Sequence, residues 1–389
     1  MSGGTRRNHL RGRRIQISGS ASAKTDAGLV DYAHAVVRGL VREILASGGG
    51  VVLGAGREPR AADSGPALTF DWTALESVME CLRSGSDEFP PHAGEPVVVV
   101  LSEKGEAEIP EDRRALWNEL LATGKVRAES IQPGMRSAAL LRQRQADFAD
   151  ILFALGGGSG VEHSAELFLD RRRPVLPMDL DLGASREDGT GGARRFAREA
   201  RAEPDRFLCL APGTVPASAQ LAALATRGGA TPAADIVEGT ARLLRDLELP
   251  RAFFVRLLNP AHERFPAVEA FFRNVVDPVV EAADLRRIEM GTDPSEYAFV
   301  NVGIFESLHH AAVAVVDVTG ERPNCFIELG YALGRGMRVL VTAQAGTNLP
   351  FDQQAIPTHF WSEGSDDAVR RREFADHWEK NINRPPIVR

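Results

Sequence analysis

Short apolar runs, each closed by small or polar residues and followed by apolar positions three and four apart, recur along the chain. This is the signature of strands alternating with amphipathic helices. In the first half, Ile15–Ile17, Val51–Leu53, Val97–Leu101 and Ile151–Leu155 predict strands. Helices are predicted through Val30, Ala33, Val36, Val37 and Leu40, and from Val161 to Leu169. In the second half, RAFFVRLLN after Pro250, AAVAVVDV, MRVLVTAQ and HFW predict strands. Val268, Phe271, Phe272, Val275, Val276 and Val279 fit a helix that Pro278 is placed to bend or divide, and PSEYAFVNVGIFESLHHA predicts another, so the order is β-α-α-β-α-β.

Runs such as Val97–Leu101 do not alternate with polar residues, as expected of parallel strands covered by helices on both faces. The predicted class is α/β: two Rossmann-like parallel-sheet domains joined by a helical connector. Residues 186–206 read as an exposed loop leading into a polar helix. From Val215 to Leu249, Leu221, Leu224, Ile236, Leu243, Leu244 and Leu247 recur at helical spacing. The expected organisation is a first domain over 1–212, a connector over 213–250 and a second domain over 251–389.

At 389 residues the chain exceeds the usual size of a single core, which agrees with two domains and two sites. A formal net charge of −7 argues against nucleic acid or an anionic membrane as partner and favours small molecules. Cys81, Cys209 and Cys325 are far apart and in no metal-ligand spacing, so reduced thiols, a cytoplasmic location and no metal site are expected. The basic start, Arg6, Arg7, Arg11, Arg13 and Arg14, lacks the apolar run of a signal peptide and reads as a disordered tail. No apolar stretch approaches the ~18 residues of a membrane span.

Candidate chemistry in the first half lies in loops that follow strands. Ser18-Gly19-Ser20 closes the first strand, Gly54 and Gly56 follow the second, and Gly156-Gly157-Gly158-Ser159-Gly160 separates the strand at Ile151 from the next helix. A glycine loop before a helix brings backbone N–H groups close to a phosphate or carboxylate, although a tight βα turn also needs glycine. The order ISGS, GGGVVLGAG and ALGGGSGVEHSAEL over roughly residues 13–210 resembles the SLOG superfamily, which includes the LOG cytokinin-activating phosphoribohydrolases. Those enzymes carry P-G-G-x-G-T-x-x-E, and the alignment puts Ser164 at the position of their glutamate. Glu162 and Glu166 flank that position but do not share its helix face. The resemblance implies a nucleotide-signal sensor that has lost the catalytic acid, with Gly19, Ser20, Gly54, Gly56, Gly157, Gly158, Ser159 and Gly160 around the signal.

In the second half the candidate is Glu328, an acid among Phe326, Ile327, Leu329 and Tyr331. Asp317 stands at a strand end, Asn324 is placed to cap the next helix, and Glu328 falls in that helix's second turn, on the side facing the strand ends. On the residues alone, Glu328 either caps or pairs with an arginine such as Arg335, or faces a ligand. Asp317 either caps the next loop or meets a sugar. His309 and His310, adjacent on a helix, read as surface or supporting residues. The run Asp317-Val318-Thr319-Gly320, Pro323-Asn324-Cys325-Phe326-Ile327-Glu328-Leu329-Gly330-Tyr331-Ala332 resembles the active-site unit of the nucleoside 2-deoxyribosyltransferase-like group and of TIR-like domains.

That resemblance covers residues 251–361 and implies that Glu328 acts at the anomeric carbon of a ribosyl group. Asp317 would assist, and Asn324, Thr319, Phe351 and Asp352 would bind substrate. The segment Leu257-Leu258-Asn259-Pro260 departs from the family's usual V-M-P-F, and Arg256, His262 and Arg264 lie beside it. Together the two resemblances imply a signal-activated NAD glycohydrolase of bacterial antiviral defence. NAD would be its substrate, with no other cofactor, and activation would proceed through a homo-oligomer. A nucleoside or nucleotide deoxyribosyltransferase or N-glycosidase, and a non-catalytic nucleotide-binding module, are the alternatives.

Overall fold

A computed structural model describes residues 9–62, 65–84, 95–132, 134, 137–183, 191–211, 214–222, 224–225, 229–289, 300–350 and 353–382. The chain divides into two compact units, residues 1–248 and 249–389. Each is built on a parallel sheet with helices on its faces, in agreement with the predicted class.

The first sheet contains β1 (Arg14–Ser20), β2 (Gly50–Leu53), β3 (Val97–Ser102), β4 (Val126–Ile131), β5 (Ile151–Gly156) and β6 (Val175–Met178), in the order β4-β3-β2-β1-β5-β6. All five pairings are parallel. β2, most of β3 and β5 are buried throughout, which is why they read as unbroken apolar runs. β4 has no such run: it is an edge strand in which only Val126 is buried, and half-buried Arg127, Glu129 and Ile131 alternate with exposed Ala128 and Ser130. The first helix, Ala27–Ala46, buries Val30, Ala33, Val36, Val37 and Leu40 as its spacing predicts.

Two expectations change here. Arg13 and Arg14 are not tail residues but are 5% and 3% exposed. The Arg14 N–H donates to Asp150 Oδ2 (2.8 Å) and its guanidinium to the Glu95 carbonyl (2.9 Å), so these interior arginines have acceptors. The segment expected to connect two domains belongs to the first unit. Leu221, Leu224, Ile236, Leu243, Leu244 and Leu247 are buried in its core, and Val237 of the helix Ala233–Asp246 sits where a Cβ on Gly39 would stand. Its apolar stripe had to be covered, and the Ala27–Ala46 helix covers it.

The second sheet contains β7 (Arg251–Val255), β8 (Arg286–Glu289), β9 (Val313–Asp317), β10 (Arg338–Gln344) and β11 (Thr358–Trp361), ordered β11-β10-β9-β7-β8 and again parallel throughout. β8 was not expected, because an edge strand reading Arg-Arg-Ile-Glu carries no apolar run. It stands where the sequence suggested one helix running into another.

The predicted helix through Phe271 and Val275 forms as Phe265–Phe271, a π turn over Phe272–Val276, and Asp277–Ala282. Pro278 has no N–H to give the Asn274 carbonyl, and the Arg371 guanidinium donates to that carbonyl instead (2.9 and 3.2 Å). Among the described residues no helix is long and apolar enough to cross a membrane, and no His, Cys, Asp or Glu cluster has metal-holding geometry.

Candidate functional site

Strand order in the second sheet reverses between β7 and β9, and open parallel sheets receive ligands at the carboxyl ends of the strands that flank such a reversal. The loop that leaves β9 enters the helix Pro323–Gly334. Arg322 occupies the N-cap position and Pro323 the first turn, so Asn324 lies inside the helix, exposed, and is not its cap. Proline suits a first helical position through its fixed φ and missing N–H, and this moves the cap back from Asn324.

Glu328 is half-buried in the second turn of that helix. Its carboxyl has no hydrogen bond or ion pair among the described residues. Burial pushes its pKa up to about 7, with the charge of Arg322 acting in the opposite sense. Arg335 is engaged elsewhere: it donates to His309 Nε2 (2.6 Å), which makes Nε2 an acceptor and leaves the His309 Nδ1–H for the Tyr331 hydroxyl (2.5 Å).

Asp317 is fully buried. One oxygen accepts from the Thr319 N–H (3.0 Å) and the other from Thr342 Oγ1 (2.8 Å) and Trp361 Nε1 (3.0 Å). Burial raises its pKa, and those hydrogen bonds oppose the rise. A carboxyl held in this way caps the loop and ties β9 to β10 and β11; it has no face left for a sugar. Thr319 is likewise fully buried, its hydroxyl accepting from the Gln344 N–H (2.8 Å). Cys325 lies close enough to both acids that their charges, after burial itself, push its thiol up to about 12. It is therefore an unreactive thiol at neutral pH. Phe351 and Asp352 lie outside the described residues.

In the first unit the strand order reverses between β1 and β5, and the two loops that sequence singled out meet there. Ser20 pairs with Gly156, and the Gly157 N–H donates to the Ser20 carbonyl (2.7 Å). Gly156 and Gly157 have φ of +56° and +70°, and a Cβ on Gly156 would lie 2.4 Å from the Ser20 oxygen, so glycine is needed for this turn whatever binds. Gly19 packs with the same closeness against Leu155. Gly158 is the N-cap of the helix Ser159–Asp170, and Ser159 is exposed between the half-buried Gly158 and Gly160. Gly54 donates to Asp71 Oδ1 (2.9 Å) and the Gly56 carbonyl accepts from Trp72 Nε1 (2.9 Å), so both are engaged with the next helix.

Three participants had no sequence signal. Arg142 has a guanidinium nitrogen 3.5 Å from where a Cβ on Gly160 would stand, and burial lowers its pKa from the usual arginine value. Gly192 lies directly on the loop, since a Cβ there would meet the Gly157 and Gly156 carbonyls at 2.2 and 2.4 Å. Its N–H is held by Glu162 Oε1 (2.9 Å), and Arg195 bridges Glu162 and Glu166. Asp71 is a carboxyl whose pKa burial raises. Arg142 and Gly192 come to the glycine loop, and Asp71 to Gly54, from segments that only folding brings there. Ser164 is fully buried, its hydroxyl without a partner among the described residues, so the position aligned with the LOG glutamate faces the interior.

A family model described as ATP nucleosidase Cap17-like, N-terminal, matches residues 10–229, more than half of the chain. The chain belongs to this family. Two Escherichia coli proteins named ATP nucleosidase Cap17, one of them from strain KTE188, are 30% identical to it over 178 residues, which are 46% of this chain and 34% of each relative. The match thus spans about a third of the length of these curated relatives. The residues matched by the family model lie within the first compact unit, and Glu328 lies outside them. A solved structure titled putative UDP-N-acetylglucosamine 2-epimerase from Listeria monocytogenes aligns over 97% of this chain and 92% of that one. It does so at 12% identity and a TM-score of 0.24, too low to carry any argument.

Proposed function

We propose that the second unit hydrolyses the N-glycosidic bond of a nucleotide with Glu328 as the acting carboxylate, and that the first unit binds a nucleotide signal that controls it. The observation that carries this reading is the half-buried, raised-pKa carboxyl of Glu328, unpaired among the described residues, on the helix that follows β9 where the sheet order reverses. Cleavage breaks the bond from the anomeric carbon to the base nitrogen, and the electron pair leaves with the base. A fixed carboxylate stabilises the cationic sugar, electrostatically or as a covalent nucleophile, until water supplies the new hydroxyl and releases a proton. Asp317 supports this chemistry by holding the loop and does not touch the substrate.

NAD is the first substrate to test, because the Glu328 segment resembles the TIR-like and deoxyribosyltransferase-like active-site unit. ATP is the second, because the relatives matched by the first unit are named ATP nucleosidase. The outer end of the glycine loop, Gly158 to Gly160 with Ser159 exposed and Arg142 beside it, supports a nucleotide signal in the first unit, as the SLOG resemblance implies. A role in bacterial antiviral defence and activation through self-association belong to the same proposal. The deciding experiment incubates the purified chain with NAD or ATP, with and without cyclic nucleotides or cyclic ADP-ribose, and follows nicotinamide or adenine by chromatography. Base release that depends on Glu328 supports the reading. Release of neither base under any of these conditions would sink it.

A further inference from the structure

We infer that the second unit's crevice recognises a phosphate group of its substrate through His262 and Arg322, so that it takes nucleotides in preference to nucleosides. This rests on the reading of Glu328 as the glycosidase carboxylate and adds the residues that hold the nucleotide's phosphate.

His262 sits in the loop after β7, and Gly320 sits in the loop after β9, the two loops that flank the reversal of strand order. Local hydrogen bonds set the first loop. The Ala261 N–H donates to Asn259 Oδ1 (3.1 Å), the His262 N–H to the Asn259 carbonyl (3.1 Å), and the Phe265 N–H to the His262 carbonyl (2.9 Å). The ring is fixed by the Arg264 N–H, which donates to His262 Nδ1 at 3.1 Å. A backbone N–H can only donate, so Nδ1 carries no proton and the neutral ring has its proton on Nε2.

The Nε2 edge rests on the second loop: a Cβ on Gly320 would lie 3.3 Å from both Nε2 and Cε1. Gly320 also has a φ of +79°, so glycine is required there for conformation as well as for space. Among the described residues, His262 Nε2 has no acceptor.

Arg322 follows two residues after Gly320, and its charge acts on Glu328. It has no ion pair or side-chain hydrogen bond among the described residues. In the same loops the exposed Glu263 carboxylate and the half-buried Arg264 guanidinium also have no side-chain partner among the described residues, whereas two other charged groups are engaged. Arg256 is paired with Glu269 and lies over the Phe272 ring, and Glu321 accepts from the Asn348 N–H (3.3 Å). Beside Gly320 and Glu328 the loops thus offer the His262 imidazole N–H and the Arg322 guanidinium, both donors and one of them cationic. Such a pair suits an anion with several acceptor oxygens, and a phosphate of the substrate supplies one. Neither residue assists bond cleavage; both hold the substrate's phosphate while Glu328 meets the anomeric carbon.

Two measurements test this on the full chain. With imidazole nitrogens labelled in the Glu328→Gln protein, the His262 Nε2 resonance is assigned by its loss in Glu328→Gln/His262→Phe. It should shift on adding ADP but not on adding adenosine. In wild-type protein, His262→Phe should raise KM for the nucleotide about tenfold while leaving KM for the matching nucleoside and kcat unchanged, the usual size for loss of a hydrogen bond to a charged group. His262→Gln, which keeps a donor, should recover most of that loss.

A resonance that responds equally to adenosine, or to neither ligand, overturns the inference. So does a resonance that responds to inorganic phosphate in a manner ADP does not compete with, which would mark a free-phosphate site. Because the resonance needs no turnover, an inactive protein with a phosphate-responsive His262 would reject the glycosidase reading and keep the phosphate site. An active protein indifferent to His262→Phe would do the reverse.

Discussion

The two units share a plan and differ in how they engage their acids. In each, a parallel sheet reverses its order at a central strand, the place where such sheets receive ligands. In the first, Glu162 is committed to the Gly192 N–H and Arg195, and the position aligned with a catalytic glutamate is a serine inside the core. In the second, one acid, Asp317, is committed to three donors, while another, Glu328, has no hydrogen bond among the described residues. A carboxylate satisfied by donors holds structure together. One that is partly buried and unsatisfied has a raised pKa, and its charge is available to a substrate cation.

The largest effect should come from breaking the committed acid. Asp317→Ala leaves the Trp361, Thr342 and Thr319 donors facing a void, and is expected to cost about 3 kcal/mol or more. Denaturant titration of the second unit's transition measures this, and a loss below about 1 kcal/mol would mean the network is not structural.

Glu328→Gln should act in the opposite way, leaving the fold intact and lowering base release about 100-fold, a typical electrostatic contribution. More than a tenth of wild-type turnover remaining would remove Glu328 from the centre of the chemistry. With NAD, whose nicotinamide leaves without needing a proton, wild-type turnover should rise with pH through about 7 as Glu328 ionises.

For the first unit, Gly158→Asp places a like charge at the outer end of the loop. Gly158 has an extended φ of −138°, and aspartate is a good N-cap, so the variant should fold. Nucleotide binding to the first unit, read by calorimetry, should weaken about tenfold or more. Unchanged binding would place the signal elsewhere.

The smallest effect is a pH-dependent stability difference. A carboxyl with a raised pKa disfavours the ionised folded state, so its penalty is absent below the unfolded value and complete above about 7. Glu328→Gln should therefore melt a few degrees above wild type at pH 8 (~2–4 °C) and at nearly the same temperature at pH 4. A difference that does not vary with pH would contradict the raised pKa.

Periodicity was enough to read the strands that lie in the middle of each sheet, because β2, β5 and β9 are covered on both faces and must be apolar throughout. It was not enough for the edges, β4 and β8, where Ser130, Arg286 and Arg287 are exposed and the strand state depends on a neighbour's hydrogen bonds. It also made a connector of Val215–Leu249: an apolar stripe states that a helix must be covered and does not name the partner.

The chemistry divides along the same line. Sequence alone marked Glu328 as an anomalous acid and the glycine run as a turn that brings backbone close to a ligand, since both are properties of residue type and local spacing. Whether an acid is engaged depends on donors from other segments. Trp361 and Thr342 reach Asp317 from 44 and 25 residues away, and Gly192 reaches Glu162 from 30. His262 faces Gly320 only because β7 and β9 are neighbours in the sheet. The sequence determined which residues carry charge and where the chain turns. Tertiary structure decided which of those charges remain available, because burial and hydrogen bonding are set by partners that no local pattern encodes.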